Sequence, residues 1–399
     1  MTLELVIQIL FLIIIFQSIL GVLKFPGLLS EIYFTFTFIF FGIIPWLEYE
    51  NNLINWGFPP VEHDTYLKAN LSIILANIIF SYYYSKEFIR GCKLNKRINF
   101  ISFERVLGLS ILTCILILFL NDFQLVNLLY RGGLDNSIEL TQIEYLAVSI
   151  LRLTPFICFI IYVRQNIKYS LRVFTLIALT LISTFPTGIP RFQSAAIYLT
   201  ILIIYIPILL NYKIIAILLT LCLIFIFPVI NQFRYYSENP IDLKFNESFF
   251  FEGHFDSYQS ILHVIQYDIV TFGYQLLGPI LFFIPREFWD EKPSGSGHYM
   301  ANLFNLQFTN ISSNIYAEGF INFGYLGIFL FALIIGKCFG YASKLIINQN
   351  VPEYKKYFLY YSAFYSFFIL RGDLLSSLSY FLSFIILYSF IFLLVEKNH

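Results

Sequence analysis

Charge is what this chain of 399 residues has least of: 13% of its residues are Asp, Glu, Lys or Arg, against roughly 25% in an ordinary soluble domain. That scarcity excludes a water-soluble fold. Neither sign is in excess, because 25 basic residues balance 25 acidic ones, and the missing basic surplus excludes nucleic acid as a partner. The cysteines Cys92, Cys114, Cys158, Cys222 and Cys338 are odd in number and widely spaced, without a CxxC pair. They exclude a disulfide framework and a zinc site. His63, His254, His263 and His298 are sparse and form no HExxH motif, which excludes that class of metal centre. Internal repeats and low-complexity linkers are missing as well, so 1–399 reads as a single membrane domain.

What the sequence has is apolar length, with 58% hydrophobic residues and a mean hydropathy of +0.73. A bilayer core of about 30 Å needs about 20 mainly apolar residues per helix. Eleven runs of that kind lie near 5–22, 30–47, 66–84, 106–120, 145–163, 173–187, 192–210, 214–230, 319–341, 357–370 and 374–395. The expected fold is an all-α polytopic transmembrane bundle of about eleven spans, within a range of ten to twelve. The first run lacks a basic leader and a small-residue cleavage site and reads as a retained helix. Between 231 and 318 runs one long periplasmic loop that suits re-entrant or amphipathic helices, and its apolar stretch 261–285 reads either as a re-entrant hairpin or as a further span that would alter the count.

Charge placement orients the bundle. Lys86, Arg90, Lys93, Lys96, Arg97 and Arg105 crowd one loop, which the positive-inside rule marks as cytoplasmic. Alternation then puts Arg164, Lys168, Arg172, Lys213, Lys344, Lys355, Lys356 and Lys397 on the same face. Glu48, Glu50, Glu62, Asp64, Asp122, Asp135, Glu139 and the long loop fall on the outward face, with Trp46, Trp56 and Trp289. The odd span number places the N-terminus outside.

The polar candidates gather on that outward face. In FFIPREFWDEKPSGSG, Arg286 and Lys292 stand six residues apart beside Gly295 and Gly297. They can clamp a phosphate or snorkel at the interface. In FPTGIPRF, Arg191 opens a helix, where free amides and the dipole favour a diphosphate or a lipid headgroup. Arg371 and Asp373 occupy the tight turn ILRGDLL, either as a mutual lock or as substrate contacts. Arg152 sits inside an apolar span and needs a partner from another helix or a polar cavity. Glu318 and Asn322, at i and i+4, share one helical side. Glu318 at a membrane mouth is a candidate general base for a hydroxyl, or a capping or ion-paired carboxylate. Arg234, where a span emerges, joins the cationic set. His298, or His254 with Asp256, can assist acid/base chemistry or simply face solvent.

With these residues, most of the chain resembles the O-antigen and oligosaccharide repeat-unit polymerases of bacterial polysaccharide assembly. The likeness rests on Arg191 in a short outer turn, the long loop in the C-terminal third, Pro285 with Lys292 and Pro293, and Glu318 followed by Asn322, Phe323 and Gly324. Arg286 and Gly297 also match an Arg, ten residues, Gly spacing, whereas the eleventh residue after Arg191 is Leu202.

The resemblance implies a glycosyltransferase at the periplasmic face of the inner membrane that polymerises undecaprenyl-diphosphate-linked oligosaccharides, both as donor and as acceptor. The product is O-antigen or a capsule-type polysaccharide. Glu318, Arg286 and Arg191 would be catalytic, with Lys292, Arg371, Asp373, Arg234, Asn322, Arg152 and His298 binding substrate. No cofactor or metal is implied. Membrane lipids and a chain-length regulator are the other expected partners. The alternatives are a flippase for the same lipid-linked oligosaccharide and an O-antigen ligase. The pieces around Arg191, Arg286–Gly297, Glu318 and Arg371 are expected to meet in space.

Overall fold

A computed structural model describes residues 2–90, 101–129, 148–226 and 255–396. Among them the chain is helical, with no strand and one isolated bridge between Ile101 and Glu396. Helix is what apolar segments of this length adopt, since it satisfies every backbone N–H and C=O within the segment. Helix is present in the described part of each of the eleven expected segments. Five are long and apolar enough to cross a bilayer: Leu3–Lys24, Leu28–Glu50, Phe103–Leu120, Ile315–Ile347 and Leu374–Val395. Val148–Tyr162, Leu171–Ser183, Arg191–Tyr205 and Lys213–Phe225 are apolar but shorter. The chain is thus a helical membrane protein in which length and apolarity mark five of the eleven segments as crossings.

The described residues divide into two compact units, one from Met1–Arg90, Ile208–Lys344 and Ser366–Ser379, the other from Gly91–Pro207, Leu345–Tyr365 and Tyr380–His399. In the first, α1 (Leu3–Lys24) packs on α2 (Leu28–Glu50) and α3 (His63–Ile89). Ser18 Oγ lies 2.8 Å from Thr37 Oγ1, and Asn77 Nδ2 donates to Gln17 Oε1 at 3.2 Å. Polar pairs of this kind fix helix register where the surroundings are uniformly apolar. A π segment, Phe38–Ile43, interrupts α2. The ring of Tyr33 stacks on Phe80 with centroids 3.5 Å apart, and its hydroxyl donates to Asn77 at 2.7 Å.

In the second unit, α4 (Phe103–Leu120), the short α5 (Leu125–Leu129), α6 (Val148–Tyr162), α7 (Leu171–Ser183) and α8 (Arg191–Tyr205) come in chain order. Tyr361 stacks on Phe384 with centroids 4.0 Å apart, and Tyr365 on Phe381 at 5.4 Å. The chain's 20% aromatic content therefore supplies flat packing surface here rather than scattered bulk.

The first unit is completed by α9 (Lys213–Phe225), α10 (Ser257–Gln266), α11 (Tyr274–Ile280), α12 (Ser296–Leu303) and α13 (Ile315–Ile347), which α14 (Glu353–Arg371) and α15 (Leu374–Val395) follow in the chain. α13 is not the uninterrupted span expected over 319–341. Phe323 (φ −145°, ψ 23°) and Gly324 (φ 61°, ψ −150°) leave helical geometry. A Cβ on Gly319 would lie 2.7 Å from the Gly327 carbonyl oxygen, although eight residues of straight helix separate two main chains by about 12 Å. The chain therefore folds back on itself between these glycines.

The long arm of α13 runs beside α3, Gly336 against Phe80 and Gly340 against Tyr84. On the short arm, Tyr316 meets Tyr33 hydroxyl to hydroxyl, near the level of Phe80 on α3, while Tyr325, just past the break, lies by Lys68 and Asp64. Ile315–Asn322 is thus a half-helix that climbs from inside the unit to the end where α3 begins. Next to it α10 runs antiparallel to α3, with Tyr258 donating to Asn70 at 2.7 Å and Gln266 Oε1 accepting from the Glu62 N–H at 2.9 Å. Within the apolar stretch 261–285 lie the end of α10 and the short helix α11.

Candidate functional site

The half-helices carry polar residues into the first unit. Asn314 caps the short arm of α13: its Oδ1 accepts from the N–H groups of Tyr316 and Ala317 at 2.9 and 3.0 Å. Its Nδ2 donates to Ser260 Oγ at 3.0 Å on α10, and also to the Ser257 carbonyl. One turn on, Glu318 is 2% exposed. Its Oε2 accepts from Ser296 Oγ at 2.8 Å and its Oε1 from the Leu374 N–H at 3.0 Å. Asn322, on the same helical side as expected, donates to the Glu318 carbonyl at 2.9 Å and accepts from the Leu276 N–H at 3.0 Å. It therefore ties the short arm of α13 to the backbone of α11.

Asp373 adjoins this carboxylate. It caps α15 by accepting from the Ser376 N–H at 2.9 Å, and burial raises its carboxyl above the ordinary range. A Cβ on Gly295 would stand 2.9 Å from Asp373 Oδ1. Gly297 likewise packs directly on the Ile311 carbonyl, so both glycines of PSGSG allow close approach of main chain to its neighbours. His298, exposed, lies within electrostatic reach of Asp373.

The expected lock between Arg371 and Asp373 is replaced by another. Arg371 Nη2 pairs with Asp256 Oδ1 at 3.4 Å, since Asp373 is already turned to the amides of its own helix. Asp256, 3% exposed, also accepts from Trp56 Nε1 at 2.8 Å and from the Ser312 hydroxyl. Glu48, read from sequence as a surface acid, is buried too and accepts from Asn55 Nδ2 at 3.0 Å and Gln259 Nε2 at 3.1 Å. Ser296, Ser312, Asn314 and Gln259 escaped the sequence reading because single Ser, Asn and Gln residues in a long loop carry no spacing signal. The SSN run before the Glu318 helix was the one available hint of a cap.

Arg286 and Lys292 turn inward on their own loop. Arg286 Nη1 donates to the Lys292 carbonyl at 2.8 Å and Nη2 to the Pro293 carbonyl at 3.3 Å, while Lys292 Nζ donates to the carbonyls of Phe282 and Ile284 at 2.8 and 2.7 Å. Burial and the neighbouring Arg286 pull the Lys292 ammonium below its usual range.

Arg191 and Arg152 belong to the second unit. Arg191 is the first residue of α8, after Pro190. Arg152 finds its partners in main-chain carbonyls, donating to Ser183 at 2.7 Å, Gly188 at 2.8 Å and Leu128 at 2.6 Å. Arg234 and His254 lie outside the described residues. Of the pieces expected to meet, Ser296 beside Gly297, Glu318 and the Asp373–Leu374 turn are in direct contact. The Arg371–Asp256 pair joins them through Ser312 and Asn314, whereas Arg286 and Lys292 close their own loop. Among the described residues no three His, Cys, Asp or Glu side chains gather as a metal cluster.

Comparison of the chain with protein-family models, curated proteins and solved structures gives no match.

Proposed function

We propose that this protein is a glycosyltransferase that joins lipid-diphosphate-linked oligosaccharide repeat units at the outer face of a bacterial inner membrane, as the resemblance of its sequence to repeat-unit polymerases implies. The observation that supports the reading best is the meeting of Glu318 with Ser296 and the Asp373–Leu374 turn, beside the Arg371–Asp256 pair. A carboxylate held by two neutral donors keeps lone pairs for a third. In the proposed step a sugar hydroxyl of the acceptor displaces Ser296 from Glu318 and gives it its proton. The acceptor oxygen bonds to the donor's anomeric carbon as that carbon's bond to the lipid diphosphate breaks. The diphosphate leaves with the bonding pair, its charge offset by the guanidinium group of Arg371.

One observation favours the alternative of a flippase for the same lipid-linked glycan. The broken helix α13, with its half-helix inside the unit, is the kind of element that transporters place around a substrate.

Deleting the gene and running surface polysaccharide on a gel separates the readings. Loss of the long ladder with one capped repeat retained supports the polymerase. Loss of every repeat points to flippase or ligase. Complementation with Glu318→Gln and Arg371→Gln tests the site, and normal ladders from both would overturn the assigned roles.

A further inference from the structure

The stretch from Phe272 to Lys292 is too short in helix to cross a membrane, yet it exposes large apolar side chains: Phe272 is 88% exposed, Ile280 59%, Phe283 67% and Phe288 83%. A loop in water does not keep four such residues in the open within 17 positions. The face is continuous with a surface that belongs to lipid. Gly273 lies against the Phe323 ring, and Phe323, Leu326, Leu330 and Ile334 continue the exposed apolar side along α13, which is long and apolar enough to cross the bilayer.

The backbone of the same stretch carries a second, independent sign. Non-helical main chain tolerates the edge of a hydrocarbon layer only when its polar groups are satisfied by the protein. Here Lys292 takes the carbonyls of Phe282 and Ile284, Arg286 those of Lys292 and Pro293, and Tyr274 that of Glu291. Short turns use four more, Leu281, Pro285, Arg286 and Trp289, as acceptors for amides of the stretch. Water would serve all these carbonyls without tying up two cations.

We infer that Phe272–Trp289 is a leaflet-embedded wedge whose partner is the acyl region of the bilayer, with Arg286 and Lys292 acting as internal clamps that make its irregular backbone compatible with lipid. The exposed acids Glu287, Asp290 and Glu291 face the headgroup side, and Trp289 takes the interfacial depth that indole prefers.

The test is fluorescence of the full chain in nanodiscs of phosphatidylcholine brominated on its acyl chains, with unbrominated discs as the reference. The wild type and Trp289→Phe are compared, so that the difference reports Trp289, and Phe283→Trp adds a reporter farther along the wedge. Expected is loss of most of the Trp289 emission in brominated discs with little quenching by aqueous acrylamide, and a new lipid-quenched component from Phe283→Trp. Quenching by acrylamide and not by brominated lipid would place the stretch in water and overturn the inference. Protection from both quenchers would mean that protein, such as a second copy of the chain, covers the face, and would overturn it equally. None of these outcomes depends on what reaction the protein catalyses.

Discussion

Ser296 Oγ donates to Glu318 Oε2 at 2.8 Å while the other oxygen of the same carboxylate takes the Leu374 N–H at 3.0 Å. One acid thus ties the start of α12, the short arm of α13 and the first turn of α15. Glu318→Ala leaves both buried donors without an acceptor, at a cost of about 1–3 kcal/mol. Glu318→Gln keeps an acceptor for Leu374 and offers Ser296 an amide in place of an acceptor, so its stability loss is smaller. Thermal unfolding in detergent should rank wild type above Gln above Ala. The surface ladder should be lost in both variants if Glu318 takes the proton, and a Gln variant with a full ladder would assign Glu318 to structure alone.

Arg152 holds three carbonyls with one rigid fork of N–H donors. Lysine places its donors on a single nitrogen and cannot reach the same three points in the same geometry. Arg152→Lys is expected to cost about 1–3 kcal/mol, and Arg152→Met more, because it strands buried carbonyls altogether. The measurement is the melting temperature of the purified protein. Equal melting for Lys and wild type would show that the fork is not what holds the Ser183 and Gly188 carbonyls.

The fold-back of α13 makes a sharp prediction about glycines. A Cβ on Gly319 or Gly327 meets main chain of the opposite arm, and Gly324 holds φ 61°, ψ −150°, a conformation that is essentially Gly-only and costs other residues about 1–3 kcal/mol. Alanine at each of the three should destabilise. Gly108, inside α4, has no atom within 4 Å of a built Cβ, and alanine there should stabilise by about 0.5–1 kcal/mol. Four single variants and one melting assay decide the matter. A neutral Gly327→Ala would mean that the arms do not touch.

The break itself shows how far the sequence could be read. Leu3–Lys24 and Leu374–Val395 are legible because their apolar runs are uninterrupted, and burial of a helix in lipid depends on little else. In α13 hydropathy also continues without a gap through INFGYLG, so it registers one span, while the decision to turn back lies in backbone contacts between Gly319 and Gly327 that hydropathy does not record. The same limit applies to the site. Glu318 with Asn322 was visible as a helical i, i+4 pair. The choice of Asp256 rather than Asp373 as partner of Arg371 was not, because it depends on α10 entering the unit beside that turn.

Asp373 caps α15 through the Ser376 N–H, so Asp373→Ala should cost about 1 kcal/mol while Asn, an equally good cap, should cost little. Burial raises the folded carboxyl above its unfolded value. A raised acid favours the folded state most when protonated, so its contribution is present below the unfolded value near pH 4 and is lost as pH rises through the folded one. Melting temperatures of wild type and Asp373→Asn, followed upward from acid, should therefore converge at low pH and separate in favour of Asn as pH rises. A constant gap across that range would show that the carboxylate is not penalised by its site.

Asp256 and Arg371 form the one ion pair in the described part of the first unit that joins α10 to the α14–α15 turn. Asp256 is 3% exposed and Arg371 keeps about a quarter of its side chain in contact with solvent, 24%. Removing either partner leaves the other charge in a poorly solvated place, at a cost of about 3–5 kcal/mol for a fully buried pair and less here because Arg371 is partly hydrated. Asp256 has further donors in Trp56 and Ser312, so its carboxylate stays hydrogen-bonded when Arg371 is replaced. Asp256→Asn and Arg371→Gln should each lower stability. The double variant should be less damaging than the sum of the two, with a coupling of about 0.5–3 kcal/mol. Chemical unfolding of the four proteins in one detergent closes the cycle. Strict additivity would remove the pair from the account of the site and leave Arg371 available for an anionic substrate group without competition from Asp256.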